Sequence, residues 1–195
     1  MFVYAAFYAL ALIVGAALTY AIYKILWFAV KMLALGRFMK DVDAPGVRVE
    51  KKRSLFDTVF GKKGEVDYLV QVGEKRYEVS ILSFVSTHGR LNVEKTRSRY
   101  FVESRRADKI FYSRHINSHL PSHVSEYKGE TRVSRRELFL SPPDPSVDGQ
   151  ILLIYPYPKR VTYTDSAYRE IYSGDKIEGH VVMNVNDFDR LINPS

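Results

Sequence analysis

The chain has 195 residues, a formal net charge of +7 and no cysteine. That length suits one folded domain plus an appendage. The missing cysteine excludes disulfides, thiolate metal sites, cysteine nucleophiles and acylated cysteines. Residues 1–40 hold four basic residues and no acidic one, so the rest of the chain is only mildly basic and its charge does not by itself point to nucleic acid.

The first predicted element is a membrane helix. From Phe2 to Tyr23 there are 22 residues without a charge. A bilayer core of about 30 Å needs roughly 20 apolar residues in a helix. The polar atoms in the run belong to Thr19, which can bond back to its own helix, and to tyrosines. Tyr4 and Tyr8 stand near one end and Tyr20 and Tyr23 near the other, as in an aromatic belt. A cleaved signal peptide fits less well: only Met1 precedes the run, with no basic residue, and the run is longer than a signal core. Ala11, Gly15 and Thr19 recur every four residues. Such a ridge of small side chains lets helices approach closely and makes a candidate self-association seam.

Apolar residues continue past Tyr23 to Leu35, now with lysines among them. At about 100° per residue, Tyr20, Tyr23, Lys24, Trp27 and Lys31 share one stripe, while Ile25, Ala29, Met32 and Leu33 point away. This pattern predicts an amphipathic juxtamembrane helix over 24–40, with Trp27 at headgroup depth and Lys24, Lys31, Arg37 and Lys40 at the membrane interface. One long tilted helix with snorkelling lysines is the alternative. Basic residues flank the run on its carboxyl side only, continuing with Arg48, Lys51, Lys52 and Arg53. The positive-inside rule therefore places the rest of the chain in the cytoplasm and the amino terminus outside the cell membrane.

Residues 41–46 read as a linker, with Asp43 and Pro45-Gly46 as breakers. Strand signals dominate the domain predicted over 47–193. "VDYLVQV" (66–72) and "RYEVSILSF" (76–84) flank a "GEK" turn and predict a hairpin. "LNVEKT" (91–96) and "RYFVES" (99–104) predict charged, edge-like strands, and "DKIFYS" (108–113) another strand. "SRRELFL" (134–140) suits a short helix or a strand, and "SPPDPSVDG" (141–149) a loop. "QILLIYPYP" (150–158) is the strongest buried strand, followed by "RVTYT" (160–164). A short helix over 166–173, a strand over 178–185 and a last helix capped by Asn186 complete the reading. The fold class is an α+β or mainly β domain behind one transmembrane helix.

Three stretches carry candidate chemistry. "EVDYLVQVGEKRYEVSI" (65–81) partly resembles the PD-(D/E)xK nucleases, which set an acid before one strand and D/E-x-K on the next around magnesium. Asp67 and Glu78 stand in plausible positions, but Ser80 replaces the lysine, so the resemblance implies at most a degenerate core. "HINSHLPSH" spaces His115, His119 and His123 by four. Pro121 and the polar surroundings argue against one helix through all three, so solvated loop histidines are expected, and His88 and His180 join a metal site only if the fold brings them together. The richest basic stretch contains Arg97, Arg99, Arg105, Arg106 and Lys109, interleaved with Tyr100, Phe101 and Phe111. It reads as a solvated strand face and as a candidate patch for an anionic ligand.

Dinucleotide, P-loop, hydrolase-elbow, calcium-loop and kinase motifs are absent from the sequence. The expected role is therefore non-enzymatic and without a cofactor: an interaction or scaffolding domain held at the membrane, with the bilayer and an unidentified protein as partners. A membrane-tethered, degenerate nuclease-like or nucleic-acid-binding domain is the second hypothesis.

Overall fold

The computed structural model describes residues 2–40, 42, 46–83, 89–107, 130–142 and 144–193. It divides into two compact units, Met1–Pro45 and Gly46–Ser195.

The first unit is one unbroken α-helix, α1 (Phe2–Lys40). No proline interrupts these residues, and Gly15 is their lone glycine before Gly36. At 1.5 Å per residue the helix is about 58 Å long. Its described apolar side chains stand exposed through Tyr23, Leu12 at 75% and Ile13 at 66% among them; farther along, Phe28, Met32, Leu35 and Met39, which share one stripe by helical spacing, are buried. Thr19 Oγ1 donates to the Gly15 carbonyl at 2.9 Å, so its hydroxyl is satisfied within the helix. No break marks Tyr23: the segment expected to span and the segment expected to lie along the interface are continuous.

In the second unit, eleven described strands form two sheets. The larger sheet runs β1 (Val47–Lys51), β2 (Tyr68–Val72), β3 (Lys75–Leu82), β7 (Gly149–Ile154), β11 (His180–Met183), β10 (Lys176–Ile177). The smaller runs β6 (Glu130–Leu138), β5 (Arg99–Ala107), β4 (Gly89–Thr96), β8 (Arg160–Thr164), β9 (Tyr168–Ile171). Within each sheet, antiparallel hairpins are joined by parallel pairs: β3 with β7, β7 with β11, and β4 with β8. Two helices accompany them, α2 (Leu55–Phe60) and α3 (Val185–Ile192).

Strand alternation builds the core between the sheets. Leu82, Leu152, Ile154, Ile177 and Val182 of the larger sheet meet Leu91, Val93, Val102, Val161, Tyr163 and Ile171 of the smaller in one cluster. The other face of the larger sheet is also apolar, with Val79, Ile81, Ile151 and Leu153 buried. Helix α3 contacts β7 and buries Phe188 and Ile192. Burial on both faces explains why β7 reads as a continuous apolar run.

Several expected elements change on inspection. The strands at 91–96 and 99–104 are interior, not edge: each has hydrogen-bonded neighbours on both sides. Glu94 and Glu103 alternate with buried Leu91, Val93 and Val102 and so lie on the face away from the core, whereas Lys95 shares the face of Val93 and reaches Glu178. Residues 166–173 do not form a helix. Tyr168–Ile171 pairs antiparallel with β8, Ile171 enters the core, and Arg160 grips Glu170 through two bonds of 2.8 and 2.9 Å. The cap of α3 is Asn184, not Asn186: its side chain accepts from the Asp187 N–H at 2.9 Å from extended backbone. The segment at 134–140 resolves as strand β6, while that at 108–113 lies outside the described residues. Strands β1 and β10 and helix α2 have no counterpart in the sequence reading.

Candidate functional site

The interface residues of α1 are arranged by helical spacing. Lys24 Nζ lies 5.5 Å from the centre of the Tyr20 ring, and Lys31 Nζ 5.3 Å from that of Trp27. Each pair is four residues apart and so shares a face, and each lysine folds back over an aromatic ring. Arg37 and Lys40 occupy the last turn, where cations complement the helix dipole. The stretch from Leu10 to Lys40 is long and apolar enough to cross a membrane, a test that a signal sequence also passes. A side chain added at Gly15 would meet nothing within 4 Å, so this point of the small-residue ridge is open.

Asp67 and Glu78 belong to two separate networks. Asp67, 1% exposed, accepts from Thr58 Oγ1 at 2.6 Å and from the Ile81 N–H at 2.7 Å, with Arg53 Nη1 at 3.5 Å. Burial raises its pKa against the lowering pull of those partners. Lys63 sits beside this group and donates to the carbonyls of Thr58 at 3.0 Å and Val59 at 2.7 Å. Burial, helped by repulsion from Arg136, pushes its pKa down to about 8. Arg53 reaches the Asp57 carbonyl at 2.8 Å and the Lys62 carbonyl at 3.2 Å. Two cations thus hold the carbonyl end of α2, and the dipole favours them there. Asp67 balances them. This network anchors a helix; among the described residues no group of three acidic or histidine side chains is placed to hold a metal.

Glu78 instead takes part in a seam at one end of the inter-sheet space. Gln150 Nε2 lies 3.0 Å from Glu78 Oε2, 3.0 Å from Ser141 Oγ and 3.1 Å from the Pro142 carbonyl. Ser141 Oγ is 3.5 Å from His180 Nε2, and His180 Nδ1 is 3.3 Å from the Glu178 carbonyl. Burial lowers the His180 pKa and favours the neutral ring. With the Nδ1 proton given to the carbonyl, Nε2 accepts from Ser141. A serine beside a neutral histidine has the residue types of a nucleophile and its base. The 3.5 Å separation is too long for a firm hydrogen bond, and the imidazole is 1% exposed. The seam links half-buried Glu78 and Ser141 to buried Gln150, with buried His180 beside it.

The other side of the same turn holds a third cluster. Glu178 accepts from Tyr163 OH at 2.6 Å and from Lys95 Nζ at 3.1 Å, and the ammonium lies over Tyr100. Those donors, Tyr163 first, hold its pKa below the usual range; burial and the same contact raise that of Tyr163. Glu178 has φ of 48° and Gly179 φ of 88°, as a two-residue turn between paired Ile177 and His180 requires. Sequence reasoning missed these clusters because each joins residues far apart in the chain; the "EG" dipeptide at 178–179 was the one local signal.

The candidate anionic patch is spread along β5. Arg97 stands exposed at the β4–β5 turn, with φ of 56°. Arg99 begins β5, 4.0 Å from Glu137. Arg105 and Arg106 lie at the other end of the strand, about 20 Å away at 3.3 Å per residue. Neighbouring Lys95 is engaged by Glu178 and Asp165, and Arg135 by Glu94 and Glu103. Lys109 and the histidines His88, His115, His119 and His123 lie outside the described residues.

Comparison with protein-family models, with curated proteins and with solved structures gives no match. The functional reading therefore rests on the chain's own residues.

Proposed function

We propose that this is a single-pass membrane-anchored protein whose sheet-rich domain works at the cytoplasmic face of the cell membrane as an interaction or scaffolding module. Residues 2–23 of α1 cross the bilayer and 24–40 continue the same helix, with Lys24, Trp27 and Lys31 at the headgroups and Arg37 and Lys40 beyond them, facing the anionic surface. The observation that carries this reading is a charge-free run of 22 residues whose described apolar side chains stand exposed, with basic residues on its carboxyl side alone. Each basic residue near an anionic surface adds about 1 kcal/mol of attraction. The Ala11, Gly15 and Thr19 ridge supplies a seam for self-association in the bilayer.

The absence of cysteine makes topology directly measurable. A Ser166→Cys chain, at an exposed position, is expected in intact cells to resist a membrane-impermeant maleimide until the cells are permeabilised. Labelling of intact cells at position 166 would reverse the orientation. Release of the chain by alkaline carbonate would remove the anchor.

A further inference from the structure

Helix α2 presents two phenyl rings to solvent. Phe56 is 70% exposed and Phe60 66%, the two most exposed large apolar side chains described in the sheet-rich unit. Four residues apart, they share a face, and their ring centroids are 4.8 Å apart. Elsewhere this unit buries its described phenylalanines or leaves them single, as with Phe188 at 1% and Phe139 at 52%.

The exposed pair is not a frayed end. Ser54 caps the helix by accepting from the Asp57 N–H at 3.1 Å. On the inner face Thr58 is buried against Asp67, and Arg53 and Lys63 hold the last carbonyls. The helix is fixed from behind, so the rings are held outward at no further ordering cost.

The surrounding charge is basic. Residues 51–65 contain Lys51, Lys52, Arg53, Lys62 and Lys63 against Asp57 and Glu65. Glu50 pairs with Lys52 at 2.6 Å and Glu65 lies 3.5 Å from Arg53. Exposed Lys51 and Lys62 have no acidic partner among the described residues. Six residues separate Lys40, the end of α1, from Val47.

We infer that α2 is a second membrane contact: Phe56 and Phe60 enter the boundary between headgroups and acyl chains, while Lys51 and Lys62 meet anionic headgroups. This rests on α1 being a membrane anchor. Apolar rings backed by lysines are the composition of an interfacial helix. Unpaired cations favour an anionic lipid surface over an apolar protein groove. The short tether makes the contact intramolecular, so two rings suffice where a free domain would need a larger surface.

The test uses the full-length chain in lipid nanodiscs. The protein has a single tryptophan, Trp27, so a Trp27→Phe, Phe60→Trp chain reports position 60 alone. In discs containing phosphatidylglycerol its emission is expected to shift to the blue and to lose most of its intensity when the acyl chains carry bromine. Lys51→Glu with Lys62→Glu in that chain is expected to restore much of the emission. If the tryptophan at position 60 stays solvent-exposed, or is shielded but not quenched by bromine, the inference falls; the second result assigns the rings to a protein surface. Trp27 in the unmodified chain distinguishes the two failures. Quenched Trp27 beside an unquenched reporter at 60 leaves the anchor standing and removes the second contact. Unquenched Trp27 removes the anchor as well.

Discussion

Leu12 and Leu152 are the same residue in opposite circumstances. The first stands 75% exposed on α1; the second is fully buried between two sheets. In the sheet-rich unit alternation sorts side chains by face: Leu152 and Val182 point into the core, and polar Asn92, Glu94 and Thr164 share the opposite face of their sheet, where buried Asn92 is held by Thr162 and Thr164. In α1 the described apolar side chains as far as Tyr23 stand exposed on every side, with no polar stripe among them. A helix that is hydrophobic all round is stable when its surroundings are apolar. The two units therefore follow one rule, burial of apolar surface, in two solvents. The domain makes its own apolar medium, and the helix needs one supplied.

The comparison extends to charge. The domain keeps charges inside by surrounding each with partners; the helix simply has none over its first 22 residues. The largest effect is expected where a buried partner is taken away. Asp67→Ala leaves Lys63 without its counter-charge, Arg53 with Glu65 alone, and the Ile81 N–H without its acceptor. Breaking a buried charged network from one side costs about 3–5 kcal/mol. Denaturant unfolding of the full chain in mild detergent, followed by near-UV circular dichroism, should show a loss of that size. A variant as stable as the parent would mean that Asp67 does not organise α2, and would revive its reading as a metal ligand.

Next in size is a charge placed in the helix. Leu12→Arg should weaken bilayer insertion by about 3 kcal/mol, because an arginine at the centre of a span costs that much. Phe139→Arg, at a position also more than half exposed, should change stability by less than about 0.5 kcal/mol. Carbonate extraction checks the first and denaturation the second. If both substitutions are equally harmless, the exposed surface of α1 is not lipid-facing, and the contrast between the units disappears.

What the sequence made legible follows the same division. The long apolar helix is written in consecutive residues, so composition alone reveals it. Strands β2, β3, β7 and β8 were likewise legible, because alternation or a continuous apolar run is local. Their order was not: the parallel pairing of Tyr77–Leu82 with Gly149–Ile154 joins segments some seventy residues apart, and no local pattern encodes it. Residues 166–173 looked helical because a four-residue strand carries too few alternations to compete. Helix α2 escaped because six residues are too few for a helical period to show, and its two phenylalanines face outward. The buried clusters were least legible. Lys63 looked like any surface lysine in "FGKKGEVD", and only the fold shows its ammonium group spanning α2 carbonyls.

Lys63 also gives the finest test of how the domain tolerates an internal charge. Its folded pKa of about 8 lies below the ordinary lysine value of 10.5. Below pH 8 the folded and unfolded chains both hold the proton, and the folded state bears the full cost of burying it. Between about pH 8 and 10.5 the unfolded chain binds more proton than the folded one. Stability contributed by this group therefore rises with pH across that window, with a limiting slope of about 1.4 kcal/mol per pH unit. Tyr68 and Tyr163, whose pKa values burial raises, act oppositely once unfolded tyrosines begin to ionise near pH 10. The window to read is thus pH 8 to 9.5. The parent chain should gain stability there relative to Lys63→Met, in which the titrating group is gone while the apolar stem is kept. Parallel pH profiles for the two chains would mean that the ammonium is solvated, and that the domain, like the helix, keeps free charge out of its interior.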